Sequence, residues 1–306
     1  MAPETSQLSD LLSYSKFASV CGAVAMGEGL VTYPFDLVKT RQQATPLSSD
    51  VMHHSTLRYL QKVVHNDGVR ALYRGFGWSV IGGLPSEVSF YLTYVVMKDG
   101  LLKTKWGAEH PSSVYLVAGA GADAISLLLW VPADVISQRL QMQGVVCAHP
   151  LQAPHALPQS GWQMARHTIR TEGVVGMWRG LGATIAVHSP SSAVWWLTYE
   201  TGKEKLGAAL GKDPGEESVL VQATAGAMAG GAAAAITTPL DVLKTRVQCA
   251  AEQAPLSKHL LDVVREAGGL SGLFRGFLPR LIASAPRSVI SLLGYEMALA
   301  YAGHQP

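Results

Sequence analysis

The sequence carries little charge for its length. Only 15% of its 306 residues are Asp, Glu, Lys or Arg, whereas 48% are hydrophobic and 31 are glycine. A soluble domain ordinarily contains about 25% charged residues. This shortage argues against a large soluble protein and favours a chain that crosses a membrane several times. Glycine, proline and single charges interrupt its apolar runs, which is typical of helices that line a polar pathway and favours a transporter.

Other features that are missing exclude further classes of protein. The net charge of +2 comes with no basic stripe, so we expect no nucleic-acid partner. The sequence contains no nucleophile elbow, no cluster of metal ligands and no nucleotide-binding glycine loop, so we expect no enzyme activity, no metal and no cofactor. The three cysteines lack the spacing of a metal site or a disulfide framework, which predicts structural, reduced thiols: Cys21, Cys147 and Cys249.

What is present is a stretch that occurs three times. It begins at Pro34, Pro132 and Pro239, and each copy has an aspartate two residues after the proline and an arginine seven residues after it. Each copy follows a long run of apolar and small residues. The pattern predicts a membrane helix that contains a proline and then presents a carboxylate, with a base three residues further on in the first and third copies.

Aligning the three prolines divides the chain into repeats at 1–108, 109–212 and 213–306. Each repeat has two apolar segments around a polar connector. The sequence therefore predicts an all-α membrane protein whose six transmembrane helices form one integrated domain. We place the helices at 11–41, 76–103, 112–142, 181–206, 217–249 and 277–302.

The connectors repeat as well. Each ends in an aromatic residue followed by Arg and Gly, at 73–75, 178–180 and 274–276. Before this ending lies an amphipathic segment, such as 57–65 or 259–266, that is too short to span a bilayer and suits a position at its surface. We therefore expect three short helices along one membrane face.

Together the two repeated motifs resemble those of the mitochondrial carrier family, solute carrier family 25, over essentially the whole chain. The resemblance implies a monomeric transporter of the mitochondrial inner membrane with six tilted helices in pseudo-threefold symmetry and three matrix helices. It also implies a small-molecule substrate, alternating access between two gates, and cardiolipin bound at the matrix helices.

The resemblance further implies a matrix gate made from the first motif. It would pair Asp134 with Lys244 and Asp241 with Lys39. Asp36 would face Ser137, which stands where the family usually has a base, so one of three ion pairs would be missing. Glutamines four residues after each base position match the family's braces and could compensate through hydrogen bonds: Gln43, Gln141 and Gln248.

The family's second gate lies near the outer ends of the even helices. By that pattern Glu296 would pair with Lys98. Val95 would leave Lys203 without its acid, and Leu299 would leave Glu200 without its base. We therefore expect a weak cytoplasmic gate and a resting state open to the cytoplasmic side, since each exposed pair contributes only about 0.2–1 kcal/mol.

Matched prolines on the even helices locate the family's three cargo contact points. They fall near Gly82, near Val187 with His188, and near Ser284, which is too little charge for a nucleotide or tricarboxylate. Arg287 could hold a carboxylate while Glu87 or Glu28 accepts an ammonium; an internal ion pair between Glu87 and Arg287 is the alternative.

Three further residues have two interpretations each. Asp123 occupies a column of small residues, so it is either bonded between helices or faces water. His188 either has a structural partner or takes part in cargo or proton binding. Trp195 either faces the cavity, with Trp196 toward a neighbouring helix or lipid, or both belong to an aromatic belt.

Two stretches, 131–138 and 192–196, are most similar to the subfamily that includes the branched-chain amino acid carrier. They favour a neutral, apolar amino acid as cargo. Another small solute, such as glutathione, a cofactor or a carboxylate, is the alternative, as is a scaffold with the carrier fold that transports nothing.

Overall fold

The computed structural model describes residues 3–45, 55–109, 111–144, 160–211, 219–250, 255–267, 269–284, 286–287 and 290. All regular structure in these residues is helical. The α-helices are α1 (Pro3–Ala44), α2 (Thr56–Asp67), α3 (Phe76–Leu102), α4 (Lys105–Glu109), α5 (Pro111–Gln141), α6 (Gly161–Glu172), α7 (Leu181–Ala209), α8 (Val219–Cys249) and α9 (Leu256–Ala267). A tenth helix, α10, includes residues 277–284 and 286–287.

The long helices occupy the predicted spans. The bounds of α3, α5, α7 and α8 agree with the prediction within three residues, while α1 starts at Pro3 instead of residue 11. Each of these helices continues through an internal proline: Pro34, Pro85, Pro132, Pro190 and Pro239. A proline removes one backbone hydrogen bond from a helix interior, a cost that surrounding helices can offset in a membrane bundle.

The connectors form the three predicted short helices. α2, α6 and α9 are each 12 residues long and strongly amphipathic. Each is followed by a five-residue 3₁₀ segment, at Val69–Tyr73, Val174–Trp178 and Leu270–Phe274. The next long helix then starts after Gly75, Gly180 or Gly276, whose φ angles of 91°, 78° and 73° lie in the region that only glycine adopts easily. This requirement explains the glycine that ends every connector motif.

The backbone divides into two compact units. The first contains residues 1–39, 189–238 and 276–306, and the second contains 40–188 and 239–275. The boundaries of these units fall inside the repeats, and the arrangement of the three repeats as one integrated domain stays a prediction.

In the second unit, α3 and α5 pack closely. Gly82 is buried on α3, and a methyl group added there would collide with the side chain of Ala133 on α5. One turn further on, the Ser86 hydroxyl donates to the Ser126 carbonyl at 2.8 Å. Small residues therefore let the two backbones approach, as is usual between membrane helices.

Three segments of the described chain are long and apolar enough to cross a membrane: Val69–Leu102, Val117–Gln141 and Leu220–Cys249. Large apolar side chains on these helices are exposed, including Val88, Leu92 and Val96 at four-residue spacing on α3. Such a stripe lies on one face of a helix and suits contact with lipid.

Candidate gate and cargo-binding sites

A carboxylate with a buried counter-ion lies in the second unit. Lys244 Nζ on α8 lies 2.9 Å from Asp134 Oδ2 on α5, and both side chains are more than four-fifths buried. Gln248 Nε2 donates to Asp134 Oδ2 at 3.1 Å, and Gln138 Nε2 donates to Oδ1 at 3.0 Å. Asp134 and Lys244 are the pair expected from the motif alignment, and Gln248 braces the same carboxylate.

A second motif carboxylate has its own glutamine. Gln43 Nε2 on α1 donates to Asp241 Oδ2 on α8 at 2.9 Å, and the Thr245 hydroxyl donates to Gln43 Oε1 at 2.8 Å. All three side chains are buried. Lys39, the base expected for Asp241, belongs to the first unit, so that pairing stays a prediction.

Ser137, which replaces the base of the second motif, has a structural partner. Its hydroxyl lies 2.8 Å from that of Ser79 on α3, and Ser137 is buried. The glutamine of this motif, Gln141, is buried as well, and its backbone oxygen accepts from Arg41 Nε at 2.7 Å. A Lys or Arg at position 137 would need a carboxylate within this buried space, since an unpaired buried charge is costly.

The last arginine of each motif anchors a surface helix, a role that sequence analysis missed. Arg139 Nη1 lies 2.6 Å from Glu172 Oε1 at the end of α6, and Arg179 Nη1 lies 3.0 Å from Glu172 Oε2. Arg139 also donates to the Thr168 hydroxyl at 2.9 Å. The signal was present in the sequence, because both arginines and the glutamate belong to the repeated motifs.

The third repeat has the same arrangement with a shifted acid. Arg246 and Arg275 both contact Glu266 of α9, at 2.7 and 3.1 Å. Glu266 precedes Gly269, the equivalent of Gly173, by three residues, whereas Glu172 directly precedes Gly173. Repeat one differs again, because Arg74 pairs with Asp67 at 3.2 Å while Arg41 contacts the Tyr59 hydroxyl at 3.1 Å.

The two doubly paired glutamates have lowered pKa values. Burial alone would raise the pKa of the Glu172 carboxyl, but hydrogen bonds and charges from Arg139 and Arg179 more than offset it. The pKa of Glu266 is lowered for the same reasons, with Arg246 and Arg275 as the opposing charges. Both carboxylates are therefore ionised at neutral pH and hold their helices through charge.

The first unit contains one guanidinium between two carboxylates. Arg287 Nε lies 2.9 Å from Glu28 Oε1, and Arg287 Nη2 lies 3.0 Å from Asp36 Oδ2. The Thr32 hydroxyl also accepts from Nη2, at 3.3 Å. These three partners are four residues apart along α1 and therefore share one face of the helix.

This contact adds to two expectations. Asp36 has a base after all, because Arg287 of α10 pairs with it; the motif alignment compared only the odd helices and could not find a partner on an even one. Arg287 contacts Glu28, one of the two acids considered for it, and a pairing of Arg287 with Glu87 stays a prediction. Glu87 is an exposed residue of the second unit.

Asp123 and His188 contact each other in the second unit. His188 Nδ1 lies 3.4 Å from Asp123 Oδ1, with His188 about half exposed and Asp123 about one-quarter exposed. The contact joins α5 to α7 and gives the carboxylate in the small-residue column a partner on another helix. It fits the interpretation of both residues as a bonded pair, while any cargo role of His188 stays a prediction.

The remaining predicted cargo residues differ in exposure. Gly82 and Val187 are buried in the second unit, and the contact of Gly82 with Ala133 favours a role in helix packing. In the first unit, Trp195 stacks on Tyr199 with ring centroids 4.9 Å apart and packs with it against Ala225 and Ala229 of α8. The ring contacts a neighbouring helix because alanines on α8 leave space for it, and the expected position of Trp195 at the cavity stays a prediction.

An apolar pocket of about 600 Å³ lies within the first unit. Its lining comes from α7, α8 and α10 and consists mainly of small and apolar residues: Thr198, Ala227, Met228, Gly231, Ala232, Leu281 and Ser284. Ser284 is one of the three predicted contact points. Arg287 follows it by three residues, about one turn further along the same helix.

The predicted cytoplasmic gate is only partly visible. Lys98 Nζ lies 3.8 Å from Asp99 and 5.9 Å from the ring of Tyr94, and Lys203 Nζ lies 5.0 Å from the ring of Tyr199. The cation–π contact shows that Lys203 has a partner despite the missing acid at Val95. The structure does not describe the side chains of Val95 and Glu200. Glu296 and Leu299 lie outside the described residues altogether.

The part of the chain that the structure describes contains no candidate metal-binding site. No group of three His, Cys, Asp or Glu side chains there is placed to hold an ion. The second unit contains buried ion pairs with glutamine braces, and the first unit contains the ion-paired Arg287 and an apolar pocket. Polar and charged groups of this kind are typical of membrane helices that line a transport pathway.

A sequence model described as mitochondrial carrier protein matches the chain three times, over residues 12–105, 108–209 and 215–305. The protein belongs to the mitochondrial carrier family, whose members are transporters of the mitochondrial inner membrane and not enzymes. It is 30% identical to solute carrier family 25 member 44 of Pongo abelii, with 93% of this chain and 90% of the relative covered.

Two further relatives are similar over most of their length. The mitochondrial substrate carrier family protein J of Dictyostelium discoideum is 29% identical, with 87% of this chain and 85% of the relative covered. The mitochondrial S-adenosylmethionine carrier protein of Xenopus tropicalis is 31% identical, with 90% and 91% covered.

Proposed function

We propose that this transporter carries a neutral amino acid with an apolar, branched side chain by alternating access. Its cargo would be a zwitterion, with one carboxylate, one ammonium and a small hydrocarbon group. Such a molecule needs one cation, one anion and an apolar surface at the site that binds it.

The observation that carries the proposal is the neighbourhood of Arg287 and Ser284 on α10. Arg287 can bind a carboxylate through two parallel hydrogen bonds, and Glu28 beside it can accept an ammonium. About one turn away, Ser284 lines a pocket of about 600 Å³ with mainly apolar walls. Carboxylate, ammonium and aliphatic side chain would each meet suitable chemistry within the first unit.

The charge of this group also opposes other cargoes. Arg287 has a formal charge of +1, and Glu28 and Asp36 have a formal charge of −1 each, so the formal charge of the three side chains together is −1. A dicarboxylate or nucleotide would add negative charge to a site that is already negative. A zwitterion adds none. The other expected cargo contacts stay predictions: Gly82, Glu87, Val187, His188 and Trp195.

The gates complete the proposed cycle. Asp134 with Lys244, and Asp241 with Lys39, would close the matrix side, braced by Gln43, Gln141 and Gln248. Lys98, Glu200, Lys203 and Glu296 would form the weaker cytoplasmic gate. We further infer that the three repeats act together as a monomer with cardiolipin at α2, α6 and α9.

A second candidate cargo is S-adenosylmethionine. It comes from the relative of that name and from the chemistry of the site, because this molecule also carries an α-amino and an α-carboxyl group. Its net positive charge suits a group of charge −1. Its nucleoside, however, needs a larger pocket with polar partners than the mainly apolar lining of this one supplies.

The test is uptake into liposomes that contain the purified protein. We expect labelled leucine, valine and isoleucine to enter, whereas glutathione, ATP and malate do not. Saturable uptake of S-adenosylmethionine alone would assign the second cargo. No uptake of any of these solutes by folded protein would favour a scaffold that transports nothing.

Two variants connect uptake to the site. Arg287→Gln should abolish saturable leucine uptake, because the cargo carboxylate loses its partner. Arg280→Gln is a matched control on the same helix: Arg280 donates to the hydroxyls of Thr237 and Thr238, at 2.8 and 3.4 Å, and is not among the proposed cargo contacts. Equal uptake by both variants would remove Arg287 from the cargo site.

A further inference from the structure

The two carboxylates that contact Arg287 differ in their place in the repeats. Asp36 has an equivalent in each of the other two copies, Asp134 and Asp241. Glu28 has none, because Ser126 and Ala233 occupy its column. A group present in all three repeats suits the symmetric gate, and a group present once suits an asymmetric cargo.

The Arg287 side chain contacts both the acid that recurs in every repeat, Asp36, and the acid that occurs once, Glu28. Its Nε lies 2.9 Å from Glu28, and its Nη2 lies 3.0 Å from Asp36. The edge of the guanidinium that would bind a cargo carboxylate in a bidentate way carries these nitrogens. Both edges of the guanidinium that can bind a carboxylate in this way include Nη2, whose two N–H groups already donate to Asp36 and Thr32, so a bidentate cargo carboxylate must displace one of these acceptors.

We propose that Arg287 is a switch between the gate acid Asp36 and the cargo carboxylate. Without cargo, Arg287 supplies the counter-ion that Ser137 does not supply in the second motif. Cargo binding moves the guanidinium from Asp36 to the carboxylate of the cargo, and Glu28 receives the ammonium. The release of Asp36 then weakens the closed matrix gate, so that cargo binding itself favours opening. This inference rests on the proposed amino acid transport and adds that Arg287 is the side chain shared by the gate acid and the cargo.

The proposal makes opposite predictions for two similar substitutions. Asp36→Asn removes the competitor for Arg287, so leucine should bind more tightly. Glu28→Gln removes the ammonium acceptor, so leucine should bind more weakly. If both carboxylates served only to hold Arg287 in place, either change would disturb the cargo site in the same direction.

The experiment measures leucine uptake in proteoliposomes for the wild type and both variants. The half-saturating leucine concentration for thermal stabilisation in detergent gives affinity separately from turnover. We expect Asp36→Asn to lower KM about two- to fivefold, the range that corresponds to one partly exposed ion pair. Glu28→Gln should raise KM by at least the same factor. On an Arg287→Lys background, the effect of Asp36→Asn on KM should shrink. A lysine ammonium cannot donate two parallel hydrogen bonds to one carboxylate, so Asp36 and the cargo no longer compete for such a pair of donors.

The possible outcomes separate the switch from the proposed function. Opposite shifts in KM, matched by the thermal measurement, support the switch. Shifts in the same direction, or a raised KM in Asp36→Asn, overturn it while leucine transport and the proposed function stand. If the wild type transports no amino acid, the proposed function fails and the switch fails with it. A melting temperature for each variant within a few degrees of the wild type shows that the comparison concerns folded protein.

Discussion

Removing the charge of Glu172 should destabilise the protein more than the same change at Glu266. Glu172 joins two arginines, and all three side chains are at most 12% exposed. Breaking a buried pair by removing one partner costs about 3–5 kcal/mol, because a charge stays buried without its counter-ion. Arg139 retains Thr168 and the carbonyl of Gln248 as acceptors. We therefore expect the lower end of that range, about 3 kcal/mol, for Glu172→Gln.

Glu266 occupies the equivalent place in the third repeat but is 30% exposed. Solvent screens its two pairs, so Glu266→Gln should cost about 1–2 kcal/mol, between the exposed and buried cases. At about 2 °C per kcal/mol for a long chain, the melting temperatures should fall by about 6 °C and by about 2–4 °C, respectively.

The assay is thermal unfolding of purified protein in detergent, with Glu204→Gln as control. Glu204 is an exposed glutamate on α7, and its substitution should leave the melting temperature unchanged. Equal losses at Glu172 and Glu266, or a larger loss at Glu266, would show that burial of the ion pairs does not determine their contribution.

Three further predictions concern pH, packing and gating. The folded state holds the pKa values of Glu172 and Glu266 below their ordinary value, so their stabilisation is complete above about pH 4.3 and is lost as pH falls through the lowered values. The difference in melting temperature between the wild type and the Glu172→Gln/Glu266→Gln double variant should therefore shrink in acid; a constant difference would refute the ionic account. Gly82→Ala should cost about 1–3 kcal/mol through collision with Ala133, and Ala133→Gly should restore much of the melting temperature if that contact is the cause. Val95→Asp with Leu299→Lys should shift accessibility labelling modestly toward the matrix-open form, and an unchanged pattern would remove the assignment of the cytoplasmic gate.

The repeats in the sequence were sufficient to predict the helices. Four long helices lie within three residues of the predicted bounds, because prolines and connector glycines mark the same places in each repeat. The pair of Lys244 with Asp134 also followed from alignment of the motifs. Both are symmetric features, and symmetry is what a repeat reveals.

The asymmetric contacts could not be predicted in this way. Arg287 occurs in one repeat only, so no alignment column indicated that it reaches Asp36. The shift of Glu266 by two residues similarly hid its equivalence to Glu172. Trp195 packs against α8 because Ala225 and Ala229 leave room for a ring, and this depends on how two helices meet. Contacts of this kind depend on helix geometry that the motif alone does not contain.

The most direct test of the central claim is leucine uptake by the wild type and Arg287→Gln, reconstituted side by side. The account predicts saturable uptake by the wild type, its loss in Arg287→Gln and its retention in Arg280→Gln. Leucine uptake that persists in folded Arg287→Gln would contradict the claim that this guanidinium binds the cargo.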